Sequence, residues 1–302
     1  MVFAGAATAY GNQKYDQFCF LAASLSNWGI DNKLIARISY LDKIMRMIGL
    51  TVKQISRRSD IDLPSVVMEY IDKGIPVLIQ VKDNALFYSP NYRKVPDDYQ
   101  HYIVVSDYDS ERAIFIIRDN EQLYNVFNHL VDNDNAGLFK LQITASMFRD
   151  ICDNMVEICA LKEDKASACV SSDADLLTVL LSLLRSAFHT DSNRLVDFIK
   201  NIDNLYKTSE FSIQSYYGSV LVVFTVIETI CANVGVNLGN DYTEFKKFYL
   251  NKRYEVILRI NIERSKGNKI SQALKTKLIC NTYRNDELLH AQILQIYKAL
   301  SA

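Results

Sequence analysis

The sequence predicts an α+β domain over residues 1–165, followed by an all-α helical bundle over residues 173–302. Two observations predict this. Strand-like runs and helical stretches mix in the first half, whereas apolar residues after Asp173 recur almost entirely at helical spacing. Between the halves, KEDKASACVSSDAD (residues 162–175) is polar and rich in small residues, the composition of a connector.

The elements follow in order. Asp16 is placed to cap a helix from Gln17 to Trp28, with Gly29 as its stop. Asn32 to Ile48 has helical period. Pro64 in a first turn and Gly74 past an end bracket a helix from Leu63 to Lys73. GIPVLIQV supplies a buried strand, Pro76 to Val81. His101 to Tyr108 and Ala113 to Arg118 are two further strands, joined by a turn at DSER, Asp109 to Arg112. Gly137 to Ile143 and Asn154 to Leu161 add strands, with a short helix from Ser146 to Cys152 between them. The second half divides into helices near 173–188, 192–206, 212–234, 241–265 and 270–300. In the first of these, Leu176, Leu177, Leu180, Leu181 and Leu184 make an apolar stripe that needs a partner.

Bulk composition excludes several classes. A net charge of −1, from 34 Lys+Arg against 35 Asp+Glu, lacks the field of a dedicated nucleic-acid binder. Six cysteines (Cys19, Cys152, Cys159, Cys169, Cys231 and Cys280) form no CxxC pair and have no zinc spacing. They read as reduced thiols, so a cytoplasmic protein is expected. The first residues, MVFAGAATAYGNQKYD, have no basic stretch before an apolar one and do not read as a signal peptide. The longest apolar run, Tyr216 to Val236, contains Glu228, which favours a buried bundle helix over a membrane span. DNDNAG, Asp132 to Gly137, imitates the start of a calcium loop, but Ile143 stands where the closing Glu belongs. Glu287 and His290 have the spacing of a di-iron helix motif, but no second copy exists, so no metal is expected. No Walker or Rossmann glycine pattern appears.

What remains is an ordered set: Gln13, Cys19, His101, Asp119. Acyl transfer through sulfur needs a thiolate, and a helix N-terminus or an imidazolium lowers a thiol's pKa. Cys19 is expected in the first turn of the helix after Asp16. His101 opens a strand, a rigid platform for a base. Asp119 closes the next strand, where it can fix the imidazole tautomer, and Asn120 could substitute for it. The backbone N–H of Cys19 and the side-chain amide of Gln13 are the candidate oxyanion donors.

Three stretches carry a resemblance: NQKYDQFCFLAASLSNWG, GIPVLIQVKDNALFYSPNYRK and HYIVVSDYDSERAIFIIRDN. With them, the first 165 residues resemble the papain-like domain of the butirosin biosynthesis protein H family and, more distantly, the bacteriocin-processing peptidase domains of exporters. The family's all-helical second half would account for residues 173–302. The family's middle stretch holds a tyrosine-bearing loop before the histidine, here occupied by Phe87, Tyr88 and Tyr92, so Tyr88 and Tyr92 are the expected substrate contacts. The Gly-rich segment expected after the cysteine helix is replaced by ISYLDKIMRMIGL.

The resemblance implies a thiol-dependent acyltransferase of natural-product biosynthesis. It would take an acyl group from an acyl or peptidyl carrier protein onto Cys19 and pass it to a small-molecule acceptor. His101 would shuttle protons and Asp119 would orient His101. No cofactor of its own is implied, any phosphopantetheine being carried by the partner. Two other readings stand: a cysteine peptidase or amidase using water, and a non-catalytic papain-like scaffold. The cations of Lys246 to Arg264 read as the solvated face of a helix or as a docking face for an acidic partner.

Overall fold

A computed structural model describes residues 2–28, 38–56, 62–89, 92–93, 100–119, 139–153, 155–188, 193–202, 213–267 and 269–301. Gly29, Asn120, His129, His189, the 132–137 loop, and the segments expected to be helical at 32–37 and 203–206 lie outside these residues. The chain divides into two units: Met1–Phe18 with Ile38–Cys169, and Cys19–Arg37 with Val170–Ala302. The break in composition near residue 165 coincides with the end of the first unit. The assignment of Cys19–Arg37 to the second unit differs from the expected 1–165 domain.

The first unit carries α1 (Val2–Ala7), the start of α2 (Asn12–Trp28), α3 (Ile38–Met47), α4 (Leu63–Ile71) and α5 (Ala145–Cys152). Its strands are β1 (Leu50–Ser56), β2 (Val77–Lys82), β3 (Gln100–Asp109), β4 (Ile114–Asp119), β5 (Phe139–Thr144) and β6 (Met155–Glu163). They form one sheet in the order β1-β6-β2-β3-β4-β5, and every pairing is antiparallel. The β3–β4 turn is held by Asp109, whose Oδ1 accepts from the backbone N–H groups of Glu111 and Arg112, each at 3.0 Å.

Alternation along β2, β3 and β4 turns Ile79, Val81, Ile103, Val105, Phe115 and Ile117 into one core with Leu63 and Val67 of α4 and Phe148 and Ile151 of α5. Phe115 and Phe148 stack with centroids 4.1 Å apart. The other face takes α1, where Phe3 meets Tyr102 edge-on at 5.0 Å. Arg118 ties α1 down by donating to the carbonyl of Gly5 and to Thr8 Oγ1, both at 3.2 Å.

Two elements were not expected from the sequence. One is α1, whose small residues carry little periodic signal; Ala4, Ala6 and Ala7 are all buried. The other is β1, the edge strand paired only with β6. Gly49 makes the helix-to-strand turn possible: its φ is 79°, and a Cβ there would stand 3.2 Å from Ala168 Cβ.

The second unit contains the rest of α2 and α6 (Asp173–Ser186), α7 (Arg194–Asn201), α8 (Ile213–Asn233), α9 (Gly239–Ser265) and α10 (Gln272–Ser301). Ser172 and Asp175 form a capping box at the start of α6. Leu176, Leu177, Leu180 and Leu184 are buried, as the stripe requires. Three contacts show why the end of α2 belongs here. Asn27 Nδ2 donates to Ser219 Oγ at 3.0 Å, Arg194 donates to Ser26 Oγ at 2.9 Å, and the Arg253 guanidinium lies 5.5 Å from the Trp28 ring centroid. Glu228 is not stranded in α8, because Lys246 Nζ reaches both of its oxygens at 2.7 and 2.9 Å. Among the described residues no helix is long and apolar enough to cross a membrane.

At the centre of this unit Asp286 is fully buried. Its Oδ1 accepts from the Tyr249 hydroxyl at 2.7 Å and is ion-paired with Arg253, while Asn193 donates to Oδ2. Arg253 Nε also donates to the Tyr249 oxygen at 2.6 Å. Asn193 also caps α7, its Oδ1 accepting from the backbone N–H groups of Leu195 and Val196. Burial, and then the neighbouring Asp286 carboxylate, push the Tyr249 hydroxyl's pKa well up, so it stays a donor. Asp286→Ala leaves the Arg253 cation buried without its counter-charge and is expected to cost about 3–5 kcal/mol. Urea denaturation followed by circular dichroism measures this. A change below about 1 kcal/mol contradicts the assigned role.

Candidate active site

His101 is the second residue of β3, where it pairs across the sheet with Val81. Alternation puts its side chain on the face that carries Ile103 and Val105. Asp119 ends β4 opposite Phe139 of β5. A bulge in β3 between Val105 and Asp107 resets the β3–β4 register. The two side chains meet: His101 Nε2 lies 2.6 Å from Asp119 Oδ1.

A third group completes the arrangement. Tyr88 donates its hydroxyl to Asp119 Oδ2 at 2.7 Å. It is delivered by the segment after β2, a chain of tight turns. Leu86 N–H bonds to Asp83 O at 3.0 Å, Ser89 N–H to Leu86 O at 2.8 Å, and Tyr92 N–H to Ser89 O at 3.1 Å. Arg93, with φ 57°, closes the loop by donating its N–H to Asn84 O at 3.0 Å. The Tyr88 ring is wedged edge-on between Phe87 and Phe139, at 5.3 and 5.4 Å. Asp83 and Ser89 of this segment are also fully buried, which no local sequence signal foretells.

Asp119 has no exposed surface, so its oxygens need these hydrogen-bond partners. An ionised carboxylate has no hydrogen to donate, so opposite one the proton of the His101–Asp119 bond belongs to Nε2. In the neutral ring that leaves Nδ1 as the basic nitrogen. Such an arrangement can serve as a general base with a fixed tautomer.

The other expected residues fall differently. Tyr88, the expected substrate contact, is fully buried and its hydroxyl is engaged by Asp119. Tyr92 is half-buried, with the Arg93 guanidinium 5.0 Å from its ring centroid. Cys19 is half-buried on α2 and is the first residue of the second unit, whereas the His101 trio belongs to the first.

The start of α2 corrects the expected cap. Gly11, at φ 111°, breaks the chain after the turn at Thr8–Tyr10, and the helix begins at Asn12 rather than after Asp16. Cys19 is therefore about two turns in, beyond the reach of the helix dipole, which fades within the first turn. Its backbone N–H is committed to the helix ladder and cannot serve as the expected oxyanion donor. Gln13 is exposed on the first turn. The helix sets it about 9 Å along the axis and about 240° around from Cys19, so it is not the expected second donor either.

The other thiols are of a different kind. Burial, with Asp153 adding to it, pushes the Cys152 thiol's pKa well up. Burial and Glu228 raise that of Cys231 in the same direction. Cys169 and Cys280 are exposed. His290 meets Phe188 edge-on at 5.4 Å, and no metal-binding cluster of three or more side chains occurs among the described residues. Compared with protein-family models and with curated proteins, the sequence matches none.

The buried donor and the buried thiols can each be tested. Tyr88→Phe removes one donor from a buried carboxylate and is expected to destabilise the first unit by about 1–3 kcal/mol, read from urea midpoints. A neutral result means that Asp119 does not need that bond. In the folded protein near neutral pH, iodoacetamide is expected to label Cys169 and Cys280 while Cys152 and Cys231 stay protected, because a raised thiol pKa means less thiolate at that pH. Peptide mapping that finds Cys152 labelled as fast as Cys280 contradicts the burial account.

Proposed function

We propose that this chain is a thiol-dependent acyltransferase that forms an amide or ester from a carrier-bound acyl thioester in natural-product biosynthesis. The observation that carries the reading is the His101 Nε2–Asp119 Oδ1 contact of 2.6 Å, locked from behind by Tyr88. A buried, tautomer-fixed imidazole is what activation of a weak nucleophile needs. Cys19 is the thiol assigned to it from the sequence order and the family resemblance. Because Cys19 lies well inside α2, its activation falls to the imidazole and not to the helix end.

The steps balance. His101 Nδ1 takes the Cys19 proton, and the thiolate attacks the thioester carbon. A carbon–sulfur bond to Cys19 forms, and the bond to the donor's sulfur breaks. The donor leaves as a thiol after receiving the proton from the imidazolium. An acceptor amine or hydroxyl then attacks the acyl-Cys19 while His101 takes its proton, and Cys19 departs with that proton returned. Water in the acceptor's place gives hydrolysis by the same steps. Donors other than Gln13 and the Cys19 N–H must stabilise the oxyanion.

Two variants test this with acyl thioesters of N-acetylcysteamine and a panel of amines. Cys19→Ala is expected to stay folded and to lose both turnover and the covalent acyl adduct seen by intact mass. Asp119→Asn is expected to lower turnover by about 10⁴-fold, because an amide at that position can hold the wrong imidazole tautomer. An adduct of unchanged yield on Cys19→Ala protein overturns the assignment of the nucleophile. Product analysis with and without amine separates transfer from hydrolysis.

A further inference from the structure

The second unit holds a groove of about 340 Å³ between α9 and α10, within the range of a small-molecule site. Lys252 and Arg259 of α9 and Lys277 and Arg284 of α10 all line it. Glu255 supplies the lining's only negative charge and is already bonded to Lys252 at 3.0 Å. Arg259, Lys277 and Arg284 form no ion pair among the described residues. Three cations from two helices thus border one concavity without a counter-charge.

This arrangement differs from the basic helix face expected for Lys246 to Arg264. Lys246 is spent on Glu228, and Arg253 is buried on Asp286. Lys252 and Arg259 line the groove, where Lys277 and Arg284 of the neighbouring helix join them. The floor is of another chemistry: Val256 and Leu278 are buried, and Phe248 and Leu288 at the rim are 44% and 43% exposed. A ligand that complements it carries a compact anion on a chain with apolar surface. Two guanidinium groups and an ammonium in one lining suit the several oxygens of a phosphate better than a lone carboxylate.

We infer that this groove binds the phosphate-bearing arm of the acyl donor, a phosphopantetheine-type chain. The identity of the arm rests on the acyl-transfer reading above, whereas the anion binding rests on the groove alone. Guanidinium and ammonium groups grip the phosphate, and the apolar floor supports the chain.

Calorimetric titration of the full chain carrying Cys19→Ala tests this without turnover. 4′-Phosphopantetheine is expected to bind, with affinity falling as salt rises. Pantetheine, which lacks the phosphate, is expected to bind at least about tenfold more weakly, and Arg259→Gln/Arg284→Gln to weaken 4′-phosphopantetheine by at least about tenfold, given the strength of charge-assisted bonds. Both arginines are exposed, so the fold does not depend on them. Equal binding of the two ligands, no binding, or an unchanged affinity in the double variant overturns the inference. Groove binding that persists where no acyl adduct forms on the wild-type chain supports the groove and counts against the catalytic reading alone.

Discussion

A carboxylate sealed from solvent has to be met by donors, and that requirement organises the first unit. Asp119 has no exposed surface, so its two oxygens are committed, one to His101 and one to Tyr88. Each donor arrives on a different element. His101 comes from the start of β3, and Tyr88 from the turn-rich segment after β2. Asp119 itself sits on β4, next to β5. The bulge in β3, the closing bond from Arg93 to Asn84 and the Phe139 edge beneath Tyr88 all act to bring these three side chains to one point. His101 is therefore oriented by the same contacts that fill the core.

The second unit repeats the physical solution with a different outcome. Asp286 is equally buried and is also met by a tyrosine hydroxyl, but its second partner is the Arg253 guanidinium instead of an imidazole. Tyr–Asp–His leaves one ring nitrogen that can accept a proton, whereas Tyr–Asp–Arg clamps α9, α10 and the residue capping α7 together. Removing one partner of such a clamp is costly even where the pair itself contributes little net stability. The Arg253 guanidinium also covers the Trp28 ring, which ties the end of α2 into the same cluster.

Much of this was legible in the sequence wherever one residue type had a local consequence. The β3–β4 hairpin followed from two apolar runs around DSER, and Asp109 holds that turn as such residues do. The helices of the second half followed from their period. The meeting of His101 and Asp119 followed from their places on adjacent strands. Signals that depend on distant partners were hidden. A tyrosine in a loop reads as a substrate contact, and nothing local says that the Tyr88 hydroxyl is used up on a carboxylate 31 positions away. Asp16 looks like a cap because it precedes an apolar run, but Gly11 sets the start of α2 earlier, and with it the surroundings of Cys19 and Gln13. The edge strand β1 was missed because its residues are paired on one side only and half of them remain polar.

The central claim is that Asp119 holds the proton of neutral His101 on Nε2 and leaves Nδ1 basic. Nitrogen-15 spectroscopy of histidine-labelled protein reads this directly, with the His101 signals assigned by their loss in His101→Gln. In the neutral ring, the account expects a pyrrole-type, proton-bearing Nε2 and a pyridine-type Nδ1. A His101 whose neutral form carries its proton on Nδ1, or exchanges freely between the two tautomers, contradicts it.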